Sequence, residues 1–181
     1  MKNVISMLEG GDRRSIGRVN EVVRIVINEP ERFRALVDGL LTDDEVVRMR
    51  CADAIEKVAH ARPDWLKPHT DLFLEQAAGR SQQEIRWHMA QIMPLLPLTA
   101  LQRAQAIQLL MDYLEDASSI VRVSAMQALA ELSRQDAQLG KRIVPLIKTI
   151  MKNGTSAVRA RGRRLLGQLE AERRSNAHKD Q

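Results

Sequence analysis

An aliphatic residue followed directly by arginine recurs four times along this chain at a nearly constant interval. The pairs are separated by 38, 36 and 37 residues, and they are Val47-Arg48, Ile85-Arg86, Val121-Arg122 and Val158-Arg159. A regular period in the high thirties is typical of proteins in which each repeat is a pair of antiparallel helices. The interval therefore predicts an all-α fold built of stacked helical hairpins.

Apolar and small residues after each pair are spaced as in a helix with one buried stripe. The stripe that begins at Val47 continues through Cys51, Ala54 and Val58, and the other three stretches repeat its spacing. Residues 15–26 fit the same spacing without the arginine, so we expect a degenerate first unit there. Partner helices are expected over roughly residues 31–41, 65–77, 101–115 and 139–152.

Turn-forming residues separate the expected helices. Asp43 and Asp44 precede the first arginine-bearing helix, and Asp116 lies at the same place before the third. Such side chains cap helix N-termini. Pro94 is different, since it falls within the periodic stretch that begins at Ile85. Because proline has no backbone N–H to donate, we expect Pro94 to kink or shorten that helix.

The composition limits which residues can form the core, whether a disulfide can form and where the protein is located. Aromatic residues make up 3% of the chain, so the core must consist mainly of Ala, Leu, Val, Ile and Met. The single cysteine, Cys51, excludes an internal disulfide and is expected to be a small buried apolar residue. No apolar run reaches the roughly 18 residues that a bilayer span needs. Residues 1–10 lack the long apolar run of a secretory signal, so a cytoplasmic location is expected.

The third arginine-bearing stretch resembles the second helix of a HEAT repeat. The resemblance is carried by Val121-Arg122, Ala125 and Ala128, with Asp116 in the preceding turn. The other three stretches match this pattern with substitutions. The resemblance implies a right-handed α-α superhelix, a solenoid of about four to five helical hairpins.

The same resemblance implies one repeat domain over residues 1–172. Its expected units cover approximately residues 12–41, 42–78, 81–115, 116–152 and 153–172. Residues 173–181 are polar and have no apolar stripe, so they are expected to form a disordered tail.

The resemblance implies that the four arginines bond to turn carboxylates or carbonyls of adjacent units. Helical projection agrees, because at about 100° per residue each arginine lies at the flank of the buried stripe and faces a neighbouring helix. Ligand binding by these arginines is the alternative. A structural role is therefore expected for Arg48, Arg86, Arg122 and Arg159.

In this architecture the arginine-bearing helices line the concave side, and the residues opposite their buried stripes face outward. The residue after each arginine faces out most directly, and these residues are Met49, Trp87, Val123 and Ala160. An exposed apolar groove with polar edges favours a partner protein or peptide, which predicts a non-catalytic interaction scaffold. The expected partner-binding residues are Met49, Asp53, Trp87, Gln91, Val123, Met126 and Gln127. In the alternative interpretation, a kink at Pro94 turns Trp87 inward, or Trp87 only covers the groove floor.

Charge is unevenly distributed along the chain. Residues 1–90 carry 14 basic and 15 acidic side chains, whereas residues 91–181 carry 14 and 8, a net charge of +6. A basic end can contact a polyanion, although a solvated basic surface is the commoner arrangement. The alternative function is therefore nucleic-acid binding, as in HEAT-like proteins of the DNA-alkylation-repair type. The expected polyanion contacts are Arg161, Arg163 and Arg164.

Residue patterns typical of enzymes do not occur in this sequence. The four histidines have no acidic or cysteine partners at the spacings of known metal sites, and they are His60, His69, His88 and His178. There is no glycine-rich phosphate loop. We therefore expect no catalytic activity, no metal and no cofactor, and the oligomeric state is not indicated.

Overall fold

The computed structural model of this chain describes residues 3–177, and within that range every regular element is helical. The α-helices are α1 (Val19–Asn28), α2 (Phe33–Gly39), α3 (Glu45–Ala61), α4 (Thr70–Gly79), α5 (Gln83–Ile92), α6 (Ala100–Tyr113), α7 (Ser119–Leu132), α8 (Ala137–Lys152) and α9 (Ser156–Ala177). Short 3₁₀ helices cover Pro30–Arg32, Pro63–His69 and Met93–Leu95. The predicted all-α fold is confirmed.

The predicted aspartate cap is found at α3 but not at α7, where Ser118 is the N-cap residue and the Asp116 carboxylate accepts a hydrogen bond from the Ser118 N–H group (2.7 Å). The Asp44 carboxylate accepts hydrogen bonds from the N–H groups of Val46 (2.8 Å) and Val47 (3.0 Å) at the start of α3. At the start of α8, the Asp136 carboxylate accepts one from the N–H group of Leu139 (2.8 Å). The Asp44 and Asp136 carboxylates thus satisfy donors that have no acceptor within the helix.

The second arginine-bearing helix, α5, is shorter than the first, α3. α3 has 17 residues, whereas α5 has 10 and ends at Ile92, where the 3₁₀ turn Met93–Leu95 begins. Pro94 lies inside this turn and cannot donate the backbone hydrogen bond that would continue the α-helix. The predicted shortening at Pro94 is therefore confirmed.

The chain divides into two compact units, which we call unit 1 (Met1–Gln102) and unit 2 (Arg103–Gln181). In unit 1, α3 packs against α1, α2 and α5, and α4 packs against α5. Side chains such as Leu36, Ile55 and Phe73 are almost completely buried between these helices. The core therefore consists mainly of aliphatic residues, as the composition predicts.

In unit 2, α7, α8 and α9 pack against one another. α9 continues through residues 173–177 of the expected tail, and residues 178–181 lie outside the described range, so the disordered tail stays a prediction. The single repeat domain and its solenoid arrangement stay predictions. None of the described helices combines the length and apolarity that crossing a bilayer requires.

Candidate functional site

Three of the four arginines of the repeated pairs donate hydrogen bonds to backbone carbonyls of the turns that precede their own helices. Arg48 is buried, and its guanidinium donates to the Thr42 carbonyl (2.6 Å) and to the Gln82 side-chain oxygen (2.7 Å). Arg86 donates to the Arg80 carbonyl at 2.9 Å. Arg48 thus joins the turn before α3 to the turn before α5, which is the kind of contact that the resemblance implies.

In unit 2, Arg159 keeps the contact to a turn carbonyl, whereas Arg122 contacts a side chain of its own helix. Arg159 is exposed and donates to the carbonyl of Gly154 in the turn before α9. Arg122 donates to the hydroxyl of Ser119, one turn away in α7, at a distance of 3.3 Å. Arg48 is the buried member of the four and contacts two separate turns, and the structural role of the arginines stays a prediction.

Three of the predicted partner-binding residues, Met49, Asp53 and Met126, are buried. Met49 is 6% exposed and Met126 is 1% exposed, whereas Trp87 and Val123 are half-buried and Ala160 is exposed. The prediction of an open apolar groove floor is therefore wrong for both methionines. Helical projection gives only the direction of a side chain from its own helix, and it ignores the segments that pack over that side chain.

A pocket of about 360 Å³ in unit 1 gathers three of the predicted binding residues. Met49 and Asp53 of α3 and Trp87 of α5 line it, together with Arg14 and Ile16 from the segment before α1. Ile16 is 47% exposed, so it stands at the mouth of the pocket. The spacing of residues within the helices does not predict this pocket, because Arg14 and Ile16 of its lining come from the segment that precedes α1.

Three of the charged side chains that line the pocket, Arg13, Asp53 and Lys57, form ion pairs. Lys57 lies 2.9 Å from the Asp53 carboxylate and also donates to the Asn20 side chain at 3.1 Å. Arg13 donates two hydrogen bonds to the carboxylate of Glu84, at 2.9 and 2.8 Å. Bidentate guanidinium–carboxylate contacts of this kind fix orientation strongly. The segment before α1 is thereby attached to α5.

Gln91, a predicted binding residue, forms a hydrogen bond within unit 1. Its amide donates to the Glu56 carboxylate at 2.8 Å, and the same carboxylate oxygen forms a short hydrogen bond with His88 Nδ1. His60 lies 3.9 Å from the other oxygen of Glu56. These contacts connect α3 with α5, and spacing along one helix does not predict them because His88 and Glu56 are 32 residues apart.

Arg50 is a residue whose importance the sequence pattern does not indicate. Its side chain is 3% exposed, and its guanidinium donates to the carbonyls of Leu8 (2.7 Å), Gly10 (2.6 Å) and Ser15 (3.1 Å). A Cβ atom at Gly17, whose φ is +54°, would lie 3.0 Å from the centre of this guanidinium. The glycines before α1 are a signal for this close approach, because only glycine adopts such backbone angles readily beside another group.

The predicted residues of unit 2 form contacts of their own. Gln127 donates to the Glu131 carboxylate at 2.6 Å and accepts a hydrogen bond from Arg161 at 2.9 Å. Arg163 and Arg164 are exposed on α9. Arg161 is thus partly engaged within unit 2, whereas its two neighbours project to the surface.

Metal and thiol chemistry have no evident support in the described range. Among residues 3–177, no group of three His, Cys, Asp or Glu side chains is arranged to hold a metal ion. Cys51 is fully buried, and desolvation by burial raises the pKa of its thiol to about 12. The thiol therefore stays protonated at neutral pH, and a protonated thiol is a poor nucleophile.

Comparisons of this chain with protein families, with curated proteins and with solved structures found no match. The resemblance to HEAT repeats therefore rests on the residues of the repeated stretches. The coordinates add that these stretches form helices of an all-α fold.

Proposed function

We propose that this protein is a HEAT-type helical-repeat scaffold of the cytoplasm that binds a segment of a partner protein. The observation that supports this proposal is the pocket of about 360 Å³ beside Trp87. Tryptophan is enriched at the energetically important positions of protein interfaces, and methionine is enriched in interfaces generally. The volume is at the low end of the roughly 300–1,000 Å³ typical of small-molecule sites, so it suits one or two side chains of a peptide.

The charges at the pocket indicate which segment would fit. Asp53 and Arg13 are already paired with Lys57 and Glu84. Arg14 is exposed and lines the pocket beside Ile16. An apolar anchor residue with an aspartate or glutamate nearby would bury its side chain against Trp87 and place its carboxylate near Arg14. Such a carboxylate would add electrostatic attraction at the exposed edge of the interface.

The two tryptophans of the chain allow a direct test. Trp65 lies elsewhere in unit 1, with its ring 5.7 Å from that of Phe33, so Trp65→Phe leaves Trp87 as the single fluorescent reporter. Twelve-residue peptides selected on the wild-type protein from a random library should share an apolar residue close to an acidic one. Their binding should shift the Trp87 emission of the Trp65→Phe variant, and Trp87→Ala should raise Kd about 30-fold, the effect of losing roughly 2 kcal/mol.

Charge reversal at the pocket supplies the matched control. Arg14→Glu should weaken peptide binding, whereas Arg24→Glu, an exposed arginine on α1 outside the pocket, should leave it unchanged. Thermal melting of each variant checks that the fold is retained. Peptides that bind Trp87→Ala as tightly as the wild type, or a selection without enrichment, would reject the pocket as the partner site.

A further inference from the structure

Positive charge is uninterrupted over most of α8 and α9. Between residues 137 and 169 the sequence contains no aspartate or glutamate. The basic residues of this stretch are Lys141, Arg142, Lys148, Lys152, Arg159, Arg161, Arg163 and Arg164. The boundary between the units coincides with the change in charge, because residues 91–102 carry no charged side chain and all of the +6 net charge falls in unit 2.

α8 presents four of these cations on its exposed side. Its buried stripe contains Leu139, Ile143 and Ile147. Lys141, Lys148 and Lys152 lie on the opposite side, and Arg142 lies at the flank, about 100° from Lys141 around the helix axis. We call these four exposed residues the basic face. At about 100° per residue, the three lysines fall within about 40° of one another around the helix, and they extend over about 16 Å of its length.

The basic face is not neutralised by neighbouring carboxylates on the same helix. Lys148 and Lys152 are four residues apart, an arrangement of like charges that costs roughly 0.2–0.5 kcal/mol. The acidic residues of α9 have other partners, since Glu172 binds Arg134 at 2.7 Å and Glu170 lies 3.9 Å from Arg174. A polyanion on the basic face would relieve this repulsion and release its own counterions.

We propose that the basic face of α8 binds the phosphodiester backbone of a nucleic-acid duplex without reading its sequence. Its 16 Å length covers about five base pairs at 3.4 Å each. This surface differs from the α9 contacts expected from the sequence, because three lysines of α8 lie on one line whereas Arg161 is bonded to Gln127. The proposal does not depend on the pocket beside Trp87.

A membrane surface fits the basic face less well. Helices that lie on a bilayer insert large apolar side chains into the lipid. In the described range, the exposed large apolar residues are Ile16, Leu41, Leu101 and Ile120, and none of them lies on α8. The apolar side of α8 is instead buried within unit 2.

A single strand also fits less well than a duplex. Proteins that bind single strands stack the bases on aromatic side chains. Tyr113 is the one aromatic residue between positions 103 and 181, and it is only 6% exposed. This surface therefore offers contacts to phosphates, and a duplex presents its phosphates in a regular array.

Salt dependence measures the number of phosphates contacted. Four contacts, each contributing about 0.9 to the slope of log K against log salt, predict an affinity about 150-fold weaker at 200 mM than at 50 mM salt. The experiment measures fluorescence anisotropy of a labelled 24-base-pair DNA duplex of arbitrary sequence. The variant Lys148→Gln/Lys152→Gln should bind more weakly at 50 mM salt and lose only about 12-fold over the same range, since two contacts remain.

The matched control removes two cations of unit 1. Arg24→Gln/Lys67→Gln changes two exposed residues and lowers the net charge by the same amount, so it should retain the wild-type slope. An RNA duplex of the same sequence distinguishes the two sources of phosphodiester backbone, and binding to either supports the proposal. The proposal is overturned if neither duplex binds at 50 mM salt or if the control loses as much affinity as the α8 variant. It is also overturned if a single strand binds more tightly than the duplexes, or if anionic vesicles bind and neither duplex does.

Discussion

Replacing Arg50 by alanine is expected to loosen the segment that precedes α1. The Arg50 guanidinium binds carbonyls that lie 35 to 42 residues away along the chain, from Leu8 to Ser15. Val4 and Leu8 of this segment are almost completely buried. The Arg50 side chain is therefore a main connection between the segment and α3.

The magnitude follows from the three shortest contacts, which measure 2.7, 2.6 and 3.1 Å. A hydrogen bond to a charged group contributes roughly 1.5–3 kcal/mol, so their gross sum is about 4.5–9 kcal/mol. The net loss is smaller, because the carbonyls can regain water if the segment detaches and because alanine has no buried charge to desolvate. We expect Arg50→Ala to lower the free energy of unfolding by about 3–5 kcal/mol, a large part of a typical domain's 5–15 kcal/mol.

Urea unfolding and amide hydrogen exchange together test this expectation. In Arg50→Ala, the amides of residues 8–17 should exchange faster than in the wild type, and the urea midpoint should fall. Arg24→Ala, an exposed arginine, is the control and should change stability by less than about 0.5 kcal/mol. Arg50→Ala with the stability of Arg24→Ala and unchanged exchange at residues 8–17 would refute the reasoning.

Three further predictions concern the core and the arginines. Gly39→Ala should destabilise the protein by about 1–3 kcal/mol, because its new Cβ would overlap the Cys51 sulfur. Gly79→Ala is the control and should be nearly neutral, because no described atom lies within 4 Å of a Cβ at Gly79. Calorimetry that finds equal melting points for the two variants would contradict this. Arg48→Ala should cost about 2–4 kcal/mol and Arg159→Ala less than about 1 kcal/mol, because only Arg48 is buried and joins two turns; equal denaturation midpoints would count against it. Cys51 should resist a thiol reagent at pH 8 until the protein unfolds. Burial raises the pKa of the Cys51 thiol from the usual 9.0 to about 12. Because the folded protein holds the thiol proton more tightly than the unfolded chain does, the contribution of this thiol to the free energy of unfolding is fully present below pH 9 and is lost as the pH rises from 9 towards 12.

The helices could be predicted well from the sequence because their signals are local. Asp44 caps the helix that follows it, and Pro94 ends an α-helix near its position. Each of these effects operates within one helical turn, through groups a few residues apart. The expected helix over residues 31–41 became a 3₁₀ turn followed by α2, which is a difference of boundaries.

The candidate site was predicted less completely. Trp87, Met49 and Asp53 were expected to lie near one another, and the pocket in unit 1 does bring them together. Met49 was expected to be exposed and is buried, while the contribution of Arg14 and Ile16 was not expected. The repeat pattern describes residues 12–172 as similar units, and it contains no information on how an irregular segment folds back onto one of them.

The sequence alone determined the helical period, the turns, the aliphatic core and the concentration of positive charge after residue 137. The tertiary structure decided which arginines are buried, what Arg50 binds and which cations of α8 align on one exposed face. The physical reason is the separation along the chain of the groups that interact. Helix formation depends on hydrogen bonds and side-chain contacts four residues apart, whereas burial of Arg50 requires a segment about 40 residues away to settle on α3.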